Sequence, residues 1–331
     1  MYNSCRNRHC PQCQSFDQAR WLEARIERIL PVPYFHVVFT LPSELRAIAR
    51  YNPAAVYSLL ARLGAATLLE VAATPRHLGA QPAITTVLHT WSRDLSYHVH
   101  LHCIVSAGGL SADGASWIRS RRADYLFPIR VLGALFRGKM MNALDRGLRD
   151  GTLRLPDDAA DMFTRVRDRL HRTRWLVYAK KPFAGAEQVY AYLGRYTHRV
   201  GISNHRIESL DAEGRVTFRT KNGDHCTLAA ADFLGRFVQH VLPRGFVKIR
   251  HYGLYAAGNV QTRLAVARAL IEPRRKDARV TAPPSPGTWP EMLVALCDVD
   301  VGVCTRCGCQ AVVRRPLHEP SASWPVTPDT S

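Results

Sequence analysis

The sequence predicts an α+β fold with a mainly antiparallel sheet. Three observations carry that prediction. Strand-like and helix-like runs are interleaved along the chain, two neighbouring strand runs lie only about five residues apart, and glycine-bearing turn signals separate several shorter runs.

In chain order, Gln14 to Leu30 reads as a helix with Trp21, Leu22, Ile26, Ile29 and Leu30 on its apolar side, ended by Pro31 and Pro33. Tyr34 to Thr40 is β-branched and aromatic, a strand. Pro53 to Thr74 is a long amphipathic helix, with proline suited to its first turn. Ala83 to Trp91 and Tyr97 to Ser106 form an antiparallel hairpin. Gly108-Gly109 and Asp113-Gly114 are turn signals, and Val131 to Arg149 and Asp157 to His171 read as helices. Arg174 to Lys180 is a short strand, and Glu187 to Tyr196 a helix. Strands at 206–209, 215–219 and 226–228 are divided by turns at Glu213-Gly214 and Asn222-Gly223. Ala231 to Leu242 is helical, and 260–271 is a final helix. Between them Gly245 to Gly253 is a basic strand, of which Gly245 to His251 is a candidate for phosphate contact. From Glu272 to Pro290 the composition shifts to Arg, Lys, Pro and Ser, which marks a linker.

Composition narrows the function. No run of 18 or more apolar residues exists, so no membrane partner is expected, and the first residues lack the apolar core of a secretory signal. A cytoplasmic protein is the expectation. The net charge is +18, which calls for a polyanionic partner, most often nucleic acid. Only six of the 45 basic residues are lysines, and arginine suits bidentate phosphate contact.

The nine cysteines are not spread as a disulfide framework. Six sit in two clusters near the ends and read as zinc ligands. Cys5, His9, Cys10 and Cys13 make one tetrahedral set around a two-residue knuckle. Cys304, Cys307 and Cys309, with Cys297 and His318 nearby, make a second, less regular one.

The run Tyr97-His98-Val99-His100-Leu101-His102-Cys103 holds the chemistry. In a strand, side chains two apart share a face, so three imidazoles line one side while Val99 and Leu101 face the other. Imidazoles so arranged can chelate one metal ion. Tyr192 and Tyr196 are four apart on a helix and share its face. A phenol can act as a nucleophile and form a covalent intermediate. Together with the charge, this suggests transesterification at a DNA phosphate.

These residues resemble a known family, the two-tyrosine, HUH-type rolling-circle transposases of the insertion sequence ninety-one group. HUH stands for histidine, bulky hydrophobic, histidine. The resemblance rests on Cys5 to Cys13, Pro33 to Pro42, His100-Leu101-His102-Cys103, Tyr192 to Arg199 and Leu242 to Phe246, and spans about residues 2 to 270. It implies a ferredoxin-like HUH nuclease core flanked by small zinc-binding segments. It implies single-stranded DNA cleavage through a 5′-phosphotyrosine link, with a magnesium or manganese ion. Carried onto this chain, the histidine pair is His100 and His102, with His98 and His100 as an overlapping register, and the nucleophiles are Tyr192 and Tyr196. A third metal ligand is expected: Gln188, one turn before Tyr192, with Asp94, His89 and His98 as rivals. Family members carry a further zinc-ligand pair upstream of Cys5, so a shortened N-terminal zinc domain is expected.

The expected division is a zinc-binding remnant with its helix at 1–30, a nuclease domain at 31–271, a linker at 272–290 and a cysteine-rich tail at 291–331. The expected function is nicking and rejoining of single-stranded transposon ends. Two other readings are a non-catalytic zinc-containing DNA-binding protein, and a metal-dependent hydrolase using His98, His100 and His102 with water.

Overall fold

A computed structural model describes residues 28–155, 161–183, 201–202, 206–220, 223–271 and 303. The first half gives strand β1 (Tyr34–Thr40), helices α1 (Arg46–Tyr51) and α2 (Pro53–Ala73), and strands β2 (Ala80–Gln81), β3 (Ala83–Trp91), β4 (Tyr97–Ser106), β5 (Gly108–Ser111) and β6 (Trp117–Arg119). Helices α3 (Ile129–Arg149) and α4 (Met162–Arg172) lead to β7 (Val177–Phe183). Then come β8 (Ile207–Leu210), β9 (Arg215–Arg219), β10 (His225–Ala229), helix α5 (Ala230–Val238), β11 (Ile249–Gly253) and helix α6 (Arg263–Ile271).

Five strands form one sheet in the order β11-β3-β4-β1-β7, and every neighbouring pair is antiparallel. Without β11, the chain runs β1-α2-β3-β4-α3-β7 and the strands lie β3-β4-β1-β7. Those are two interlocked split β-α-β units, the ferredoxin-like arrangement. Strand β11 lengthens the sheet at the β3 edge.

Alternation decides which face each residue takes. Phe35, Val37, Phe39, Leu88, Val99, Leu101 and Cys103 turn to one face and join the main core with Leu60 and Leu68 of α2 and Phe136 and Met140 of α3. Helix α2 lies close against β4: a Cβ on Gly64 would stand 2.8 Å from Leu101 Cδ2. By length and composition α2 could cross a membrane, but Leu60, Ala61, Leu68 and Val71 are spent in this core. On the other face, Tyr34, Val87 and Ile104 pack with Leu264, Ala267 and Ile271 of α6 at one end of the sheet.

The β3–β4 hairpin has the expected span, and its turn is held from outside. Leu95 sits at φ 62° and is fully buried against Val216 and Phe218 of a second sheet, the meander β8-β9-β10. Arg236 donates to Asp94 O at 3.0 Å, and Gln239 donates to Leu95 O at 3.1 Å.

Some elements differ from the sequence expectation. Residues 28–30 are not helical; the rest of the expected 14–30 helix lies outside the described residues. Strand β11 begins only at Ile249, because Gly245 at φ 71° belongs to a turn. Strands β2, β5 and β6 form a small third sheet where the sequence shows only turn signals. Gly109 is there for close strand approach: a Cβ would stand 2.6 Å from Gln81 O. The chain divides into two units, residues 1–280 and 281–331. Cys304, Cys307 and Cys309 of the second unit, and Cys5, His9, Cys10 and Cys13 of the first, lie outside the described residues.

Candidate metal centre

Strand β4 occupies the middle of the sheet. Its Tyr97, Val99, Leu101 and Cys103 are buried in the helix-covered face, and His98, His100 and His102 are half-buried on the other. The antiparallel register then brings in more imidazoles. His89 on β3 lies directly opposite His100, so the two share a face. His36 on β1 pairs with Ile104 and sits diagonally from His102. The ligand nitrogens of His89, His100 and His102 all lie within 4.8 Å of one another. The ring centroids of His89 and His102 are 4.2 Å apart, and those of His100 and His102 4.7 Å. His89 is stacked on Trp91 at 4.6 Å, and Lys248 Nζ lies 4.9 Å from the Trp91 ring centroid.

Two hydrogen bonds orient these rings. His100 Nδ1 donates to the His98 carbonyl at 2.9 Å. His36 Nε2 and His102 Nδ1 are 2.7 Å apart. Of the other candidates, Asp94 serves the hairpin turn, accepting hydrogen bonds from the Ser92 and Ser96 hydroxyls. His98 lies beyond His100, with ring centroids 5.0 Å apart, and is not in the three-residue group. Tyr192, Tyr196 and Gln188 lie outside the described residues.

Comparison with known proteins bears on this histidine strand. A family model described as "Putative transposase" matches residues 83–263, more than half the chain, beginning at β3. The chain belongs to this transposase family. A second model, "Transposase zinc-binding domain" of the insertion sequence ninety-one group, matches residues 1–41. "Putative transposase y4qJ" of Sinorhizobium fredii is 46% identical over 281 residues, covering 82% of this chain and 70% of that one. "Transposase for insertion sequence element IS801" of Pseudomonas savastanoi pv. phaseolicola is 28% identical over 325 residues, covering 94% of this chain and 74% of its own. Among solved structures, the conjugative relaxase TrwC in complex with oriT DNA, metal-bound, covers 72% of each chain at 13% identity and a TM-score of 0.29, too shallow a likeness to transfer activity.

In this transposase the imidazoles are held neutral. Burial pulls His100 down to about 4, despite its hydrogen bond to the His98 carbonyl. Burial, Lys180 and His100 bring His36 to about 3. His89 and His102 fall well below the ordinary imidazole value, by burial first and then by neighbouring histidines and Lys248. A neutral ring keeps a lone pair for a metal. Three such rings, with their ligand nitrogens grouped, fit a single divalent cation.

The transposase adds to the sequence reading in two places. His36 lies within the Pro33 to Pro42 segment of the resemblance, yet nothing there gives it a role. A lone histidine in an apolar strand reads as a core residue, and only the β1–β4 register shows its neighbour. The basic strand near Gly245 is the other case. There Arg250 opposes Thr86, donates to Ser58 Oγ of α2 at 3.0 Å and lies against the Phe246 ring. Its charge secures the sheet edge to a helix.

Proposed function

We propose that this transposase nicks and rejoins single-stranded DNA at transposon ends through a covalent 5′-phosphotyrosine intermediate. His100 and His102 are assigned to hold a divalent ion, with His89 as the third ligand in preference to Gln188. Tyr192 and Tyr196 are assigned as the nucleophiles. The observation that carries this reading is the grouping of three neutral imidazoles on the central hairpin of a transposase-family domain.

A divalent ion bound there would neutralise charge on the scissile phosphate and orient it for attack. Imidazole donors favour manganese over magnesium, a hard ion that prefers oxygen. The protein's own part is the nucleophile. A phenol is nearly all protonated at neutral pH, its pKa being about 10, so it must lose its proton as it attacks. Its oxygen forms a bond to phosphorus while the bond to the 3′ oxygen breaks, and the 3′ oxygen leaves as a hydroxyl by taking up a proton. One phosphoester replaces another, so rejoining needs no ATP. Two tyrosines allow one to hold a cleaved strand while the other attacks the next junction.

The same reading assigns residues 31–271 to the nuclease domain, zinc to Cys5, His9, Cys10 and Cys13, and 272–290 to a linker before a cysteine-rich tail at 291–331. Zinc at Cys304, Cys307 and Cys309 is the least regular of these assignments.

The test is incubation with single-stranded oligonucleotides and manganese, followed by denaturing electrophoresis. A denaturant-resistant protein–DNA adduct is expected, absent from the Tyr192→Phe, Tyr196→Phe double variant. Cleavage without adduct, retained in that variant, assigns the attack to water. Binding without cleavage leaves a non-catalytic DNA-binding protein.

A further inference from the structure

The metal reading leaves one buried imidazole without a task. His36 is 3% exposed, and its ring stacks on that of His102 with centroids 5.0 Å apart and 12° between planes. With His36 Nε2 at 2.7 Å, His102 Nδ1 has no room for a metal ion. Only His102 Nε2 can serve as the ligand.

Two neutral imidazoles in such a bond share one proton, and two arrangements are open. If His36 donates, the proton of His102 sits on Nε2, and that nitrogen has no lone pair to give. If His102 donates from Nδ1, its Nε2 carries the lone pair and His36 keeps its own proton on Nδ1. Only the second arrangement makes His102 a ligand. His100 solves the same problem with backbone: its Nδ1 proton goes to the His98 carbonyl, which can only accept, so its lone pair is on Nε2.

We propose that His36 is a positioning residue: by accepting the Nδ1 proton of His102, it fixes the tautomer and ring plane in which His102 Nε2 serves the ion shared with His89 and His100. The inference rests on the metal centre proposed above. The register supports it, because the β1–β4 ladder holds His36 beside Ile104, diagonal to His102 on the same face.

The test is manganese titration of the full chain by calorimetry, comparing wild type with His36→Leu and His36→Gln. Leucine fills the volume without an acceptor; the glutamine carbonyl oxygen can stand where Nε2 stood. The leucine variant is expected to bind manganese about tenfold to a hundredfold more weakly. The glutamine variant is expected to stay close to wild type. Nitrogen-15 spectra of the metal-free proteins should show His102 protonated at Nδ1 in wild type and His36→Gln, and no longer held there in His36→Leu. A folded His36→Leu protein that binds manganese like wild type overturns the proposal, as does a wild-type His102 protonated at Nε2. A flat titration for all three proteins strikes the metal centre itself, and the tautomer of His102 then decides the His36 pairing separately.

Discussion

The two faces of the central sheet are built from the same strands and work by opposite rules. On the helix-covered face, Val99, Leu101 and Cys103 are buried among apolar side chains of α2 and α3. On the other, His36, His89, His100 and His102 are crowded together and kept from ionising. The first face stabilises the domain. The second sets groups with a hydration demand into a partly dry environment, which costs stability unless something binds them. A single strand, β4, supplies both faces from alternate residues.

This contrast is sharpest between neighbours. Leu101→Ala is expected to cost about 2–5 kcal/mol by loss of apolar contact and a residual cavity, measured by urea unfolding. His102→Leu, one residue away, is expected to cost about 1–3 kcal/mol, because it takes the partner from buried His36 Nε2, whereas the His36→Leu, His102→Leu pair, which replaces both, is expected to leave unfolding at pH 7 close to wild type. His102→Leu should abolish manganese binding. If the His36→Leu, His102→Leu pair destabilises as much as Leu101→Ala, the division between the faces fails.

Acid provides the second break. Imidazole ordinarily titrates near 6.5, and burial lowers His100 to about 4 and His36 to about 3. The unfolded chain therefore takes up protons first as the pH falls. Stability is therefore unaffected by the ionisation of these rings above about 6.5 and falls progressively as the pH drops toward about 3. Urea unfolding should show this loss in wild type and a smaller one in a His36→Leu, His102→Leu variant. An equal loss in both would locate the acid sensitivity elsewhere.

The smallest effect concerns Arg250. Because it bonds to Ser58 across to the helix side, Arg250→Ala is expected to cost about 0.5–1.5 kcal/mol of stability. The dependence of DNA affinity on salt should not change. A slope shallower by about 0.7–0.9 would instead mean that Arg250 contacts a phosphate.

Much of the fold is legible in the sequence because local patterns decide it. The hairpin of β3 and β4 follows from two β-branched runs and a five-residue gap, and Pro53 marks the start of α2. The small sheet of β2, β5 and β6 is not legible. Its strands are short, and glycines that serve close backbone packing look like turn signals in a sequence. The candidate site is half legible. Three alternating histidines announce one face of a strand, but His89 joins them through the β3–β4 register and His36 through β1–β4. Neither pairing can be read from spacing along the chain. The contacts of Arg250 are illegible for a related reason: charge is visible in a sequence, and the side of a sheet it turns to depends on its partner strand.

The clamped turn at Leu95 has a mechanical consequence. A free hairpin bends most at its tip, and there the two strands slide past each other most easily. Here the tip is seated in the meander and gripped by Arg236 and Gln239, while the other end of the hairpin lies under α6. The hairpin is thus a beam supported at both ends, with the His89–His100 pair between the supports, nearer the turn. A pull on the meander would pass through the Leu95 side chain into the turn and then along the backbone of the two strands that carry these imidazoles.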